Sequence, residues 1–193
     1  QEEVVFHNQW AAGETDAAMT DVQAADRVRQ TMGRDFAFEI ISRASWTAGF
    51  ALVARQMSQG RAFIAGDAAH LFTPAGGLGY NTAIEDVVNL GWKLAAAVKG
   101  WGGPELLASY DAERRGAAER NTASARGFAD SIGLYTAAPG LEDDSDEGAR
   151  LRAEAGDYLN AHARAEFNIP GITFGGRYDD SPVIAPDGSA PPP

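Results

Sequence analysis

The chain is 193 residues long, 45% apolar, and carries 27 acidic against 16 basic side chains, a formal net charge of −11. Such an acidic balance is repelled by nucleic acid and by anionic membranes at long range, which argues against both as partners. The absence of cysteine excludes disulfides and thiolate metal sites and fits a cytoplasmic protein, His7, His70 and His162 lack metal-ligand spacing, and no apolar run reaches the roughly 18 residues of a membrane span.

From the N-terminus, a strand-like Val4-Val5-Phe6 precedes Thr20 and Gln23, which are spaced as a capping box. The spacing predicts a helix with Val22, Ala25, Val28 and Met32 inward and Gly33 at its end. Residues 36–42 and 46–54 are rich in aromatic and β-branched side chains and read as strands. A short apolar strand at 62–65 then ends in Gly66-Asp67, which places an acid at the carboxyl end of a strand. It leads to Pro74-Ala75-Gly76-Gly77-Leu78-Gly79-Tyr80, a loop whose glycines let backbone approach a flat or anionic ligand where a Cβ would collide.

Thr82 and Glu85 repeat the capping-box spacing and predict a helix start. Behind them Ile84, Val87, Val88, Gly91, Leu94, Ala95 and Val98 recur at three- and four-residue steps as one apolar stripe, and Lys99-Gly100 supply a cation and a left-handed cap. In open α/β sheets ligands collect at strand ends, where helix starts present unpaired N–H donors, so the segment reads as half of a cofactor site. By composition alone the loop is equally readable as a tight turn. It is not the dinucleotide fingerprint: Gly77-Leu78-Gly79 runs into Tyr80-Asn81-Thr82 rather than a third glycine.

Pro104 opens an Ala-rich helical region to about residue 132, with an interruption expected near Gly116 or Gly127. The acidic run 142–147 reads as a solvated loop ahead of a helix from 149 to about 165, and residues 168–188 read as mostly loop. Arg114 and Arg115, beside Glu113 and Asp111, read as a solvated or inter-helix ion network rather than an anion site. No internal repeat is evident.

Gly66-Asp67-Ala68-Ala69-His70, Pro74, Gly76-Gly77-Leu78-Gly79-Tyr80-Asn81, Glu85-Asp86 and Asn89-Leu90-Gly91-Trp92-Lys93-Leu94 together resemble the second flavin-binding motif of the FAD-dependent aromatic-ring monooxygenases with the para-hydroxybenzoate hydroxylase fold. The resemblance is to their phenol and polyketide hydroxylase branch. Its Tyr-x-x-Glu-Arg-Arg segment is matched by Tyr110, Glu113, Arg114 and Arg115, and its Arg-Tyr-x-x-Ser-Pro segment by Arg177, Tyr178, Ser181 and Pro182.

The resemblance implies an NAD(P)H- and FAD-dependent monooxygenase that hydroxylates a small phenol-like aromatic substrate with O2, through a flavin C4a-hydroperoxide. Asp67, with Gly66, would hold the ribityl chain. The Gly76-to-Asn81 backbone, including Gly77, Leu78, Gly79 and Tyr80, would face the isoalloxazine, whose reduced anion suits a helix N-terminus. The Pro74 carbonyl would lie near the peroxide, and no side chain of the chain takes a catalytic role, since the flavin carries the chemistry. Trp46 and Phe50 would line the substrate pocket, although core packing explains such aromatics as well. Tyr80 stands where many relatives have Leu or Met, which bears on pocket shape more than on the backbone. His70 reads as a packing and hydrogen-bonding residue.

The fold implied is α/β, or α+β as a fragment: part of an FAD-binding Rossmann-like domain, part of the substrate-domain sheet, and C-terminal helices. The division expected is 1–58 partial substrate-domain sheet with one helix, 59–135 second half of the FAD-binding domain, 136–180 helical extension and 181–193 Pro-rich linker. No GxGxxG is present, nor the family's middle Asp-Gly motif, so the adenine and pyrophosphate half of the FAD site is expected in an N-terminal Rossmann portion of the same protein. A homodimer is compatible with the resemblance. The motif also occurs in related epoxidases, halogenases and reductases, and a cofactor-less interaction module derived from the family is a reading of another class.

Overall fold

The computed structural model describes residues 3–8, 19–45 and 50–190. They fall into two units, 1–47 and 48–193, taken in turn.

In the first unit α1 (Asp21–Met32) forms where the capping box predicts it. The Gln23 amide donates to Thr20 Oγ1, the Thr20 amide donates to Gln23 Oε1, and Gly33 closes the helix at φ 65. Of the residues expected inward only Val28 is buried, while Val22 and Met32 are 71% and 42% exposed. Residues 36–42, expected as a strand, form no ladder among the described residues. A strand needs a partner edge for its amides, and aromatic content alone does not provide one. Phe36 and Phe38 still stand on one side of this segment with ring centroids 4.9 Å apart, and Arg29 lies over the Phe38 ring.

The second unit begins with two small antiparallel pairings. β1 (Leu52–Val53) pairs with β4 (His70–Leu71), and β2 (Ser58–Gln59) turns through Gly60, at φ 59, into β3 (Ala62–Phe63). The strand expected at 62–65 therefore keeps its ladder for two residues only, although Ala65 remains extended at φ −147 and ψ 162. The chain then turns at Gly66, φ 56, into a single 3-10 turn over Gly66–Ala68.

Helices make the rest: α2 (Leu78–Val98), α3 (Glu105–Gly133), α4 (Asp146–Phe167) and the one-turn α5 (Pro170–Thr173). α2 ends as its sequence predicts. Gly100 takes the left-handed conformation, its amide reaching Ala97 O and that of Trp101 reaching Ala96 O, the paired bonds of a Schellman cap. Its start differs from expectation. The helix begins four residues before Thr82, after Gly77 at φ 63, and Thr82 is an interior residue whose hydroxyl donates to Leu78 O. The left-handed glycine initiates the helix without a side-chain cap, which releases Thr82 and Glu85 for contacts with α3.

α3 runs unbroken through Gly116 and Gly127, so the expected interruption does not occur. A glycine in a helix interior costs about 0.5–1 kcal/mol, which packing elsewhere along 29 residues offsets. α4 starts earlier than 149: Ser145 accepts from the Gly148 amide, so Asp146 and Glu147 occupy the first turn, where the helix dipole favours acids. α3 and α4 are tied by the stacked rings of Tyr135 and Tyr158, 5.1 Å apart, and by Tyr158 OH donating to Ser131 O. Met57, Ala69 and Tyr110 form the core of this unit, with Phe63, Ile64 and Leu90 against them. Among the described residues no helix is long and apolar enough to cross a membrane.

Candidate functional site

α2 and α3 pack antiparallel, and the surface between them is polar. Thr82, Asp86, Asn89 and Lys93 are buried on α2, facing Ser109, Glu113, Arg114 and Asn121 of α3. The predicted apolar stripe exists but lies on the opposite side of α2: Ile84, Val87, Val88 and Val98 are 47%, 60%, 66% and 88% exposed. Burying polar groups is tolerable when they find partners, and here the two helices supply most of each other's, Asn89 Oδ1 and Thr122 Oγ1 being left without one.

Asp86 is the hub. Its Oδ2 lies 2.7 Å from His70 Nε2 and accepts from the Gly66 amide at 3.1 Å, while its Oδ1 accepts from Arg114 Nε at 2.8 Å. Burial pushes the Asp86 carboxyl upward, but hydrogen bonds from His70, Arg114 and Gly66 outweigh it and hold the group below its ordinary range. Arg114 also reaches Glu85, the Thr82 carbonyl and, at 3.0 Å, Tyr178 OH. Although burial disfavours the guanidinium charge, Asp86 and Tyr178 raise its pKa further. A second cluster adjoins it. Glu113 accepts from Lys93 at 2.5 Å, Asn89 at 2.6 Å and Ser181 at 2.7 Å, and these bonds overcome burial to keep it ionised. Burial lowers the Lys93 pKa against the pull of Glu113.

These contacts join motifs far apart in sequence. Tyr110 donates to Ile64 O, directly behind the Gly-Asp turn, and Glu113 and Arg114 receive Ser181 and Tyr178 from the C-terminal segment. The inter-helix reading of Arg114 holds. Arg115 instead makes i,i+4 pairs with Asp111 and Glu119 on the surface. His70 is buried, packed edge-on against Phe72 and bonded to Asp86, in keeping with its structural reading. The parts played by Asp86, Lys93 and Asn89 are not legible from spacing, because polar residues at helical steps usually mark a solvated face.

What this scaffold displays is the turn and loop above it. Gly66 packs so closely on α2 that a Cβ there would meet Ala83 Cβ at 3.3 Å, and Asp86 fixes its amide. Asp67, next in the chain, is exposed and bonds no other described side chain. In the loop Pro74 is exposed, and Gly76 and Gly77 adopt φ 72 and φ 63, which only glycine takes without strain. A Cβ at Gly76 would meet the Phe128 ring at 3.0 Å, and one at Gly79 would meet Phe72 at 3.3 Å. Leu78 is buried and anchors the first turn of α2, Tyr80 is 75% exposed, and Asn81 donates back to Gly77 O. The amides of that first turn have no side-chain cap. Phe50 is 53% exposed, and Trp46 lies outside the described residues.

Comparison with known proteins identifies the fold. Residues 1–125 match the family described as FAD binding domain. The chain belongs to this family. The chain is 47% identical over 128 residues to a putative polyketide hydroxylase of Streptomyces halstedii, covering 65% of this chain and 23% of that protein. It is 36% identical over 191 residues to a phenol 2-monooxygenase of Pseudomonas sp. (strain EST1001), covering 90% and 31%. Among solved structures it matches the rebeccamycin biosynthetic enzyme RebC with reduced flavin, with a TM-score of 0.76 at 38% identity over 92% of this chain and 34% of that one. The chain thus spans about a quarter to a third of the length of these relatives.

The residues present fit such a cofactor on their own geometry. An uncapped helix start suits an anionic ring edge, two left-handed glycines leave the backbone bare, and an unengaged carboxylate can accept hydroxyl donors.

Proposed function

We propose that the chain is the isoalloxazine-side part of a flavoprotein monooxygenase that hydroxylates a phenol-like aromatic substrate, using FAD, NADH or NADPH, and O2. The observation that carries this reading is the pairing of a free, exposed Asp67 with the uncapped glycine-rich start of α2, both fixed from behind by one buried ionic network. The relatives' names support the substrate class: one is a putative polyketide hydroxylase and another a phenol 2-monooxygenase.

Bound flavin would supply electron transfer from the nicotinamide and the activation of oxygen. The chain's residues bind and orient. Asp67 accepts hydroxyl donors of the ribityl chain, held in place by the Gly66 amide bonded to Asp86. The uncapped amides of the first turn of α2, from Leu78 onward, and the dipole of α2, worth about 0.3–2 kcal/mol, would stabilise negative charge on the ring's pyrimidine edge. The Pro74 carbonyl would accept a hydrogen bond on the oxygen-reactive side. Phe50, half exposed, would line the substrate pocket. The exposed stripe of α2 packs against the rest of the same polypeptide, which carries the adenine half of the site, and we place the protein in the cytoplasm.

The test is steady-state NADH and NADPH oxidation by the full-length protein with a panel of phenols. Substrate-stimulated O2 uptake with a hydroxylated product supports the reading. Bound FAD without any oxygenated product would overturn the hydroxylase assignment.

A further inference from the structure

The loop that starts α2 is gripped from a place 90 residues away. The Gly76 amide donates to Glu166 Oε1 at 2.7 Å, and Glu166 Oε2 lies 2.8 Å from His162 Nε2, one turn earlier on α4. Both side chains are nearly buried, at 10% and 13% exposure. On the other side of Gly76 stands the Phe128 ring of α3, leaving no room for a Cβ. Gly76 is therefore clamped between an apolar wall and a carboxylate, in a left-handed conformation open to glycine.

We propose that Glu166, oriented by His162, is a positioning residue for the flavin loop: by fixing the Gly76 amide it sets the direction in which the uncapped donors of α2 point. The inference rests on the flavin reading above. A charge-assisted bond to a backbone amide is among the stronger hydrogen bonds available to a loop. One at Gly76, in the middle of a short 3-10 turn (Ala75–Gly77) that leads directly into α2, restrains both. Glu166 thus ties the C-terminal end of α4 to the loop, while Tyr158, near the middle of α4, stacks on Tyr135 and bonds Ser131 O. Nothing in the chain between 142 and 167 signals this role, because a Glu and a His four residues apart on an acidic helix read as a surface pair.

The experiment uses the full-length protein and reads two quantities, amide hydrogen exchange over residues 74–80 and the FAD dissociation constant. Glu166→Ala is expected to speed exchange in that segment and to weaken FAD at least tenfold. Glu166→Gln, which keeps an acceptor oxygen, is expected to restore both to within about threefold of wild type. Tyr158→Phe, which loosens α4 without touching the loop, is expected to leave FAD affinity unchanged and serves as the structural control. If wild type binds FAD and Glu166→Ala binds it equally well, the inference fails while the functional reading stands. If Glu166→Ala and Tyr158→Phe weaken FAD alike, Glu166 acts only through the docking of α4 and the inference fails. If wild type takes no FAD, both fail.

Discussion

Replacing Asp86 with Ala should be among the most damaging single changes available to this chain. The Asp86 and Arg114 side chains are 0% and 2% exposed, and the carboxylate serves Arg114, His70 and the Gly66 amide at once. Removing one partner of a buried ion pair costs about 3–5 kcal/mol, mostly because the remaining charge is left uncompensated. Arg114 would keep Glu85, the Thr82 carbonyl and Tyr178, which places the expectation near the lower end, about 3 kcal/mol. With a urea m-value of about 2 kcal/mol per molar, the midpoint should fall by about 1.5 M with m unchanged. Arg115→Ala, which breaks only exposed pairs, should cost under about 1 kcal/mol. Urea unfolding followed by circular dichroism measures both. If Asp86→Ala moved the midpoint no further than Arg115→Ala, the buried network would not be what holds α2 to α3.

The same network sets the acid limit. Asp86 and Glu113 are both held below their ordinary values of 3.8 and 4.5, so their contributions are fully present above those values and are lost as pH falls through the depressed ones. Thermal stability should therefore be flat near neutrality and drop below about pH 4.5, with a shallower drop in Asp86→Asn. Gly76→Ala should cost about 1–3 kcal/mol, since its φ of 72 and the Phe128 ring both oppose a side chain; a neutral result in urea unfolding would contradict the loop geometry. Val88→Gln, on the exposed stripe of α2, should leave this chain's stability within about 0.5 kcal/mol while lowering that of the full-length protein; an equal small effect in both would show that nothing covers the stripe.

Local chemistry was readable in the sequence where it is local in space. The Thr20–Gln23 box and Gly33 mark the ends of α1, and Gly100 marks the end of α2, because a cap depends on a few adjacent residues. Thr82–Glu85 has the same spacing and a different fate, since Gly77 had already begun the helix and Arg114 claims Glu85. The stripe along α2 was equally plain, yet periodicity gives a face and not its direction: the polar face turned inward because α3 offers matching charges. Residues 36–42 show the limit for strands, whose existence depends on an edge that composition does not describe. The glycine loop was legible as a motif, whereas its clamp by Glu166 spans 90 residues and leaves no local trace.

Asp67 and the start of α2 together are proposed to hold a flavin. The most direct test is the FAD content of the purified full-length protein, read from the visible spectrum, in wild type and in Asp67→Ala. Asp67 is exposed and unengaged, so its loss should leave folding intact. Wild type should carry near-stoichiometric FAD, and the variant should lose most of it at unchanged thermal stability of the flavin-free protein. A variant that retains FAD as wild type does would contradict that proposal.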